Sequence, residues 1–105
     1  MKLWIDDVRP VPEGYNGWAR SVNDAKYWIE WWEKYCFKTI VKEGLILDLD
    51  HDAGDFAHDG GDYIRILDWL EETERNYPIR IHSQNPVGVQ NMRRIIERNG
   101  WTEIR

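Results

Sequence analysis

A single cysteine, Cys36, leaves no partner for an internal disulfide. Apolar runs are short: none reaches the roughly 18 residues of a membrane span, and the start MKLWIDD offers no signal-peptide core. The expected location is therefore cytoplasmic, with no membrane partner. Cations are outnumbered, 14 lysines and arginines against 19 aspartates and glutamates, for a formal charge of -5. That balance argues against gripping duplex nucleic acid, which needs a basic face to neutralise phosphates. A small or metal-bridged phosphate ligand stays open. Repeats, low-complexity tracts and linkers are also missing, and 105 residues with 42% hydrophobic content suit a single domain, 1–105.

What is present is an alternation of short strand-like and longer helix-like runs. Lys2 to Ile5 reads as a strand, ended by Asp6-Asp7 and by DVRPVPEGYNG, whose prolines and glycines forbid a regular element. Trp18 to Arg20 is a brief second strand. Ser21 and Asp24 resemble a capping box, and Val22, Ala25, Ile29 and Trp32 recur at helical spacing, predicting a helix from about Val22 to Tyr35. Leu45 to Asp50 is the expected central strand, because its near-continuous apolar start suits a strand covered on both faces. Tyr63, Ile66, Leu67 and Leu70 predict a helix that stops before Tyr77-Pro78. Ile79 to Ser83 is the next strand; Asn85-Pro86 opens a helix that Gly100 ends, and Trp101 to Ile104 closes the chain as a strand. Seven tryptophans are many for this length. They are expected to fill the core or to form a partner-facing patch, so a protein partner on a tryptophan-rich surface is one expectation.

Strands separated by helix-length crossovers imply a parallel sheet with helices on its faces, a small α/β sandwich. Ligands in such sheets bind beyond the carboxyl ends of the strands. Asp6 and Asp7 end the first strand, Asp48, Asp50, His51 and Asp52 end the central one, and His82, Ser83 and Asn85 end the next. The strand starts carry nothing comparable.

Calcium is the first alternative for LDLDHDAGDFAHDGGD. Counted from Asp48, however, the sixth position is Ala53 instead of glycine, the twelfth is Asp59 instead of a bidentate glutamate, and a strand precedes the loop. A zinc site on His51, His58 and His82 lacks any supporting spacing. Hard oxygen ligands in this number point to magnesium or manganese, which would offset the mutual repulsion of the carboxylates. A bound cation attracts phosphate, and the helix N-terminus at Asn85-Pro86 presents free N-H groups to the same crevice. Ser83, Asn85 and Arg9 are then phosphate-binding candidates, although Asn85 also reads as a plain N-cap and Arg9 as a loop cation.

The layout of a strand ending in Asp-Asp, a central strand ending in Asp and a later strand ending in Ser resembles response-regulator receiver domains, whose fold is flavodoxin-like. In that family the acidic pair holds magnesium and the central aspartate accepts a phosphoryl group. More specifically, WIDDVRPVP, LDHDAGD with DGGDY, and IHSQNPVGVQNM are similar to the cyclic-phosphate processing receiver-like domains. The resemblance implies a receiver-like fold with a retained acidic pocket that acts on a cyclic phosphate. Two departures stand out. No lysine follows Lys42, so the lysine that pairs with the phosphoryl group in receivers has no counterpart, and helices are fewer, with none before Trp18 or after Trp101. LILDLD also resembles the nucleophile motif of haloacid-dehalogenase-like phosphatases, with Asp48 as nucleophile, but its mid-chain position and the missing lysine stand against it.

The expectation is a metal-dependent phosphoesterase acting on a cyclic phosphate, either a cyclic nucleotide or a cyclised RNA end. Asp6, Asp7, Asp50 and Asp52 would hold magnesium or manganese. Asp50, His51 and His82 would be the catalytic groups, the histidines exchanging protons. The alternative is a non-catalytic module that binds a nucleotide or a protein partner through the same crevice.

Overall fold

Five strands pair in parallel in the order β2-β1-β3-β4-β5: β1 Lys2–Ile5, β2 Gly17–Ala19, β3 Ile46–Leu49, β4 Ile79–Ile81 and β5 Glu103–Ile104. The computed structural model describes all residues, 1–105. Four helices connect the strands: α1 Val22–Tyr35, α2 Phe37–Glu43, α3 Ile64–Glu72 and α4 Pro86–Asn99, with a 3-10 turn at Gly54–His58. This is an α/β receiver-like, flavodoxin-type fold whose strand order reverses between β1 and β3.

Connection handedness explains the layering. The steps from β2 to β3, β3 to β4 and β4 to β5 all travel the same way across the sheet, so right-handed crossovers put their helices on one face. The step from β1 to β2 travels the opposite way, and the loop at residues 6–16 therefore passes over the other face. Side-chain alternation matches: Leu3, Ile5, Leu47, Leu49 and Ile79 join the core with residues of α1, α3 and α4. Trp4, Asp48 and Arg80, aligned in register, lie on the opposite face. Helices thus cover one face instead of two, and β3 is nevertheless buried on both because the loop closes the second.

The local signals behave as their chemistry dictates. Ser21 caps α1 by accepting from the Asp24 N-H at 3.0 Å, and Val22, Ala25, Ile29 and Trp32 form its buried stripe. Asn85 caps α4 by accepting from Gly88 N-H at 3.0 Å, Pro86 takes the first turn, and Gly100 closes the helix in the left-handed conformation. Helix α2 has no sequence signal of comparable strength. None of its residues is fully buried, Cys36 breaks it from α1, and only Ile40 packs against the core. No helix is long and apolar enough to cross a membrane.

Far from the acidic edge, Arg75 grips Glu33 of α1 through Nε and Nη2 at 2.9 and 2.8 Å, and the Tyr77 hydroxyl donates to the same carboxylate. Burial alone would raise the pKa of Glu33, but the hydrogen bonds from Arg75 and Tyr77 outweigh it and hold the carboxyl below its ordinary 4.5. A depressed folded pKa contributes stability above the unfolded value near 4.5, and that contribution is lost as pH falls through the lower folded value. Glu33→Gln should therefore lower stability by about 1.5 to 3 kcal/mol at pH 7, the range for hydrogen bonds to charged groups. Urea melts across pH should show the gap from wild type shrinking below pH 4.5; a gap independent of pH would contradict the assignment.

Candidate functional site

Each strand delivers a polar residue just past its end. Asp6 N-H bonds Ala19 carbonyl at 3.1 Å, Asp50 N-H bonds Ile5 carbonyl at 3.0 Å, and His82 N-H bonds Leu49 carbonyl at 3.0 Å. The ladders thus run one residue beyond the strands, aligning the three groups at the switch point. The ligating atoms of Asp6, Asp50 and His82 lie within 4.8 Å of one another.

Asp6 is fully buried. Its Oδ1 accepts from the N-H groups of Val8 and Arg9 at 3.0 and 2.9 Å, which folds the start of the loop around it. Its Oδ2 lies 2.8 Å from His82 Nε2, while His82 Nδ1 lies 2.7 Å from Asp48 Oδ1. Both ring nitrogens therefore face carboxylate oxygens. Trp4 stacks flat on this ring, with centroids 3.9 Å apart and planes 4° from parallel, and its indole N-H donates to Arg9 carbonyl at 2.9 Å. Asp48 is fully buried as well, and accepts from Arg80 at 2.9 Å and from the Tyr15 hydroxyl.

The electrostatics follow from these contacts. For Asp48, burial pushes the pKa up, but hydrogen bonds from His82, Tyr15 and Arg80 win and hold it below the ordinary carboxylate range. Asp6 is lowered in the same way, burial being outweighed by the Arg9 and Val8 N-H groups and by His82. Asp7 goes the other way: burial raises it, and the charges of Asp6 and Asp50 add to the rise. A carboxylate destabilised by its acidic neighbours favours a proton or a cation. The buried Tyr63 phenol is raised by burial and by the carboxylates of Asp7, Asp6, Asp50 and Asp62, so it stays a donor, to Arg20 carbonyl at 2.6 Å.

The expected site residues divide into two groups. Asp6, Asp7 and Asp50 come together, joined by His82. Asp52 is separate from that set: it is exposed, and its Oδ1 lies 2.8 Å from His51 Nδ1 and near Asn85 Nδ2. His51, Asp52 and Asp62 form a second trio of nearby donors. His51 Nε2 makes no hydrogen bond, whereas both nitrogens of His82 are engaged. Ser83 accepts from Asn85 N-H at 3.1 Å and Asn85 caps α4, so both have structural roles in place. Arg9 donates to His82 carbonyl at 3.1 Å, which ties the loop to the end of β4. Asp62 accepts from Ala53 N-H at 3.0 Å instead of capping α3. Asp48 is saturated by three donors on the face away from the core, unlike an accessible nucleophile.

Tyr15, Trp4 and Arg80 were not anticipated. Trp4 and Asp48 do occupy matching strand positions between buried aliphatics, and an acid embedded in LILDLD signals a buried partner; Tyr15 carries no signal of its own. Two glycines permit close approaches at the site. At Gly54, with φ of 55°, a Cβ would come within 2.3 Å of Asp7 Oδ2; at Gly88 it would come within 2.4 Å of His51 Cγ.

The family model of the cyclic-phosphate processing receiver domain matches residues 1–98. No curated protein and no solved structure gives a significant match.

Glycine in a helix ordinarily costs about 0.5 to 1 kcal/mol relative to alanine. Gly88→Ala should nevertheless lower the melting temperature, because the methyl group must displace the His51 ring. A higher melting temperature with unshifted His51 ring resonances would show that the ring does not pack there.

Proposed function

The chain belongs to the cyclic-phosphate processing receiver domain family, and from that premise we propose that it is a divalent-metal-dependent phosphoesterase opening a cyclic phosphate. The carrying observation is the convergence of Asp6, Asp50 and His82 donor atoms within 4.8 Å at the switch point, with Asp7 beside them. Two or three carboxylate oxygens and one imidazole suit manganese or magnesium, the imidazole favouring manganese of the two. The Asp48 contact on Nδ1 supports this role for His82, since metal-bound imidazoles are commonly oriented by a carboxylate on their other nitrogen. A bound cation would supply positive charge for the phosphoryl oxygens and would lower the pKa of water.

The proton work falls to His51. Asp52 holds its Nδ1, Gly88 gives its ring room against α4, and Nε2 stays free for exchange. Ring opening forms one bond from a water oxygen to phosphorus and breaks one ring P-O bond, so a proton must leave the water and another must reach the departing alkoxide. His51 suits one of these transfers. His82, already held by two carboxylates, suits binding and orientation better. Arg9 lies at the rim, and Ser83 and Asn85 flank the N-terminus of α4, where N-H groups favour an anion.

Purified protein with manganese or magnesium should hydrolyse a 2',3'- or 3',5'-cyclic nucleotide. Asp50→Ala should abolish both turnover and manganese binding measured by calorimetry, and His51→Gln should cut turnover by about 10²- to 10⁴-fold while leaving metal affinity unchanged. Turnover that survives Asp50→Ala would refute the site. The exposed aromatic face of α1, with Tyr27, Trp31 and Tyr35, favours a second reading as a binding module. That reading gains if cyclic nucleotides raise the melting temperature without being hydrolysed.

A further inference from the structure

Beside the acidic cluster lies a cleft of about 430 Å³ that the phosphate chemistry leaves unused, walled by Trp18, Arg20, Asp24, Phe56, His58 and Asp59. It adjoins the cluster through two links. Trp18 donates its indole N-H to Asp6 carbonyl at 2.9 Å, and Phe56 follows Gly54, which packs on Asp7. Arg20 succeeds Ala19, whose carbonyl pairs with Asp6, so β2 brings it to the same carboxyl edge. A molecule whose phosphate is held at the Asp6 and Asp50 edge through the proposed cation would extend here.

The wall chemistry selects what enters. The Arg20 guanidinium lies over Trp18, 4.1 Å from the ring centroid, and 5.9 Å from that of Phe56, so aromatic faces instead of a carboxylate are its partners. Its backbone is fixed by the Tyr63 hydroxyl on its carbonyl. A planar cation layered on indole is a stacking platform for a base. Asp24 and Asp59 on the same wall repel a second phosphate and accept from N-H groups; Asp59 is held by Ser21 and Asn23 at 2.6 and 2.9 Å.

Resting on the cyclic-phosphate reading above, we infer that this cleft is a nucleobase subsite, so that the ligand is a nucleoside cyclic phosphate or a cyclised RNA end and not a base-free cyclic phosphate. Isotope-labelled protein with magnesium would be titrated with guanosine 2',3'-cyclic phosphate and with the base-free methyl riboside 2',3'-cyclic phosphate, following the Trp18 indole N-H, Phe56 and Asp50 by NMR. The nucleotide should shift Trp18 and Phe56 saturably and bind about ten-fold tighter than the base-free compound, the scale of one stacked base. Arg20→Ala should erase that difference with the melting temperature held, and so should Arg20→Lys, which keeps the charge but not the plane. Equal affinity for the two ligands, with Asp50 shifting and Trp18 silent, would overturn the subsite and leave the phosphate reading standing. Full affinity in Arg20→Lys would assign the cleft to charge and likewise overturn it, and no shift anywhere would overturn both.

Discussion

Asp6 and Asp48 are both closed to solvent, and the His82 ring fills the space between them. Burying one carboxylate costs several kcal/mol after relaxation, and two cost more. Here the cost is offset by a network in which every buried side-chain polar atom has a partner: Val8 and Arg9 N-H groups on Asp6, Tyr15 and Arg80 on Asp48, His82 on both. The groups come from β1, β3, β4 and the loop between β1 and β2. One imidazole therefore fixes the relative placement of three strand ends and of the segment that covers them. Trp4, stacked on the ring, excludes water from the same spot.

The network also explains how a domain with helices on one side keeps its second face closed. A receiver-like sheet without a helix before β2 or after β5 leaves Trp4, Asp48 and Arg80 on a face that no helix covers. The loop at residues 6–16 covers it with the Tyr15 ring packed edge-on against Trp4 and with polar contacts: Arg9 reaches His82 carbonyl, Tyr15 reaches Asp48, and Asn16 accepts from Lys2 N-H at 2.8 Å. Two prolines within this loop, Pro10 and Pro12, limit its unfolded freedom and make that closure less costly in entropy.

The elements that sequence made legible are those whose signals are local. Ser21 before an apolar 3.6-residue stripe, Asn85-Pro86 before another, and Gly100 after it each fix a helix end through backbone chemistry within a few residues. The carboxyl-edge location of Asp6, Asp7, Asp50 and His82 was legible as well, because strand ends follow from where apolar runs stop. Partnerships were not. The link from Asp48 to Tyr15 spans 33 residues and that from Asp6 to His82 spans 76, and nothing in composition chooses between His51 and His82 as the partner. Helix α2, with no buried stripe, gave periodicity nothing to detect. Asp52 follows Asp50 by two, but past the end of the strand alternation no longer holds and its carboxylate turns to His51.

Whether a polar group is saturated separates support from reactivity at this edge. Asp48 has three donors, and His82 has a carboxylate on each nitrogen; groups so satisfied gain nothing from a ligand unless it offers more than they already hold. Asp7 is in the opposite condition, raised in pKa by burial and by its acidic neighbours, and Asp50 holds only the N-H of His51 among side-chain hydrogen bonds. His51 keeps one nitrogen free. The unsatisfied groups lie on the rim and the satisfied ones behind them. A ligand that brings positive charge to Asp7 and Asp50 is therefore stabilised at the rim without dismantling the support, and only His82 has to exchange its contact with Asp6 to join in. On the metal-dependent reading proposed above, a cation would relieve the repulsion among Asp6, Asp7 and Asp50 and would leave the Asp48 contact to hold the ring.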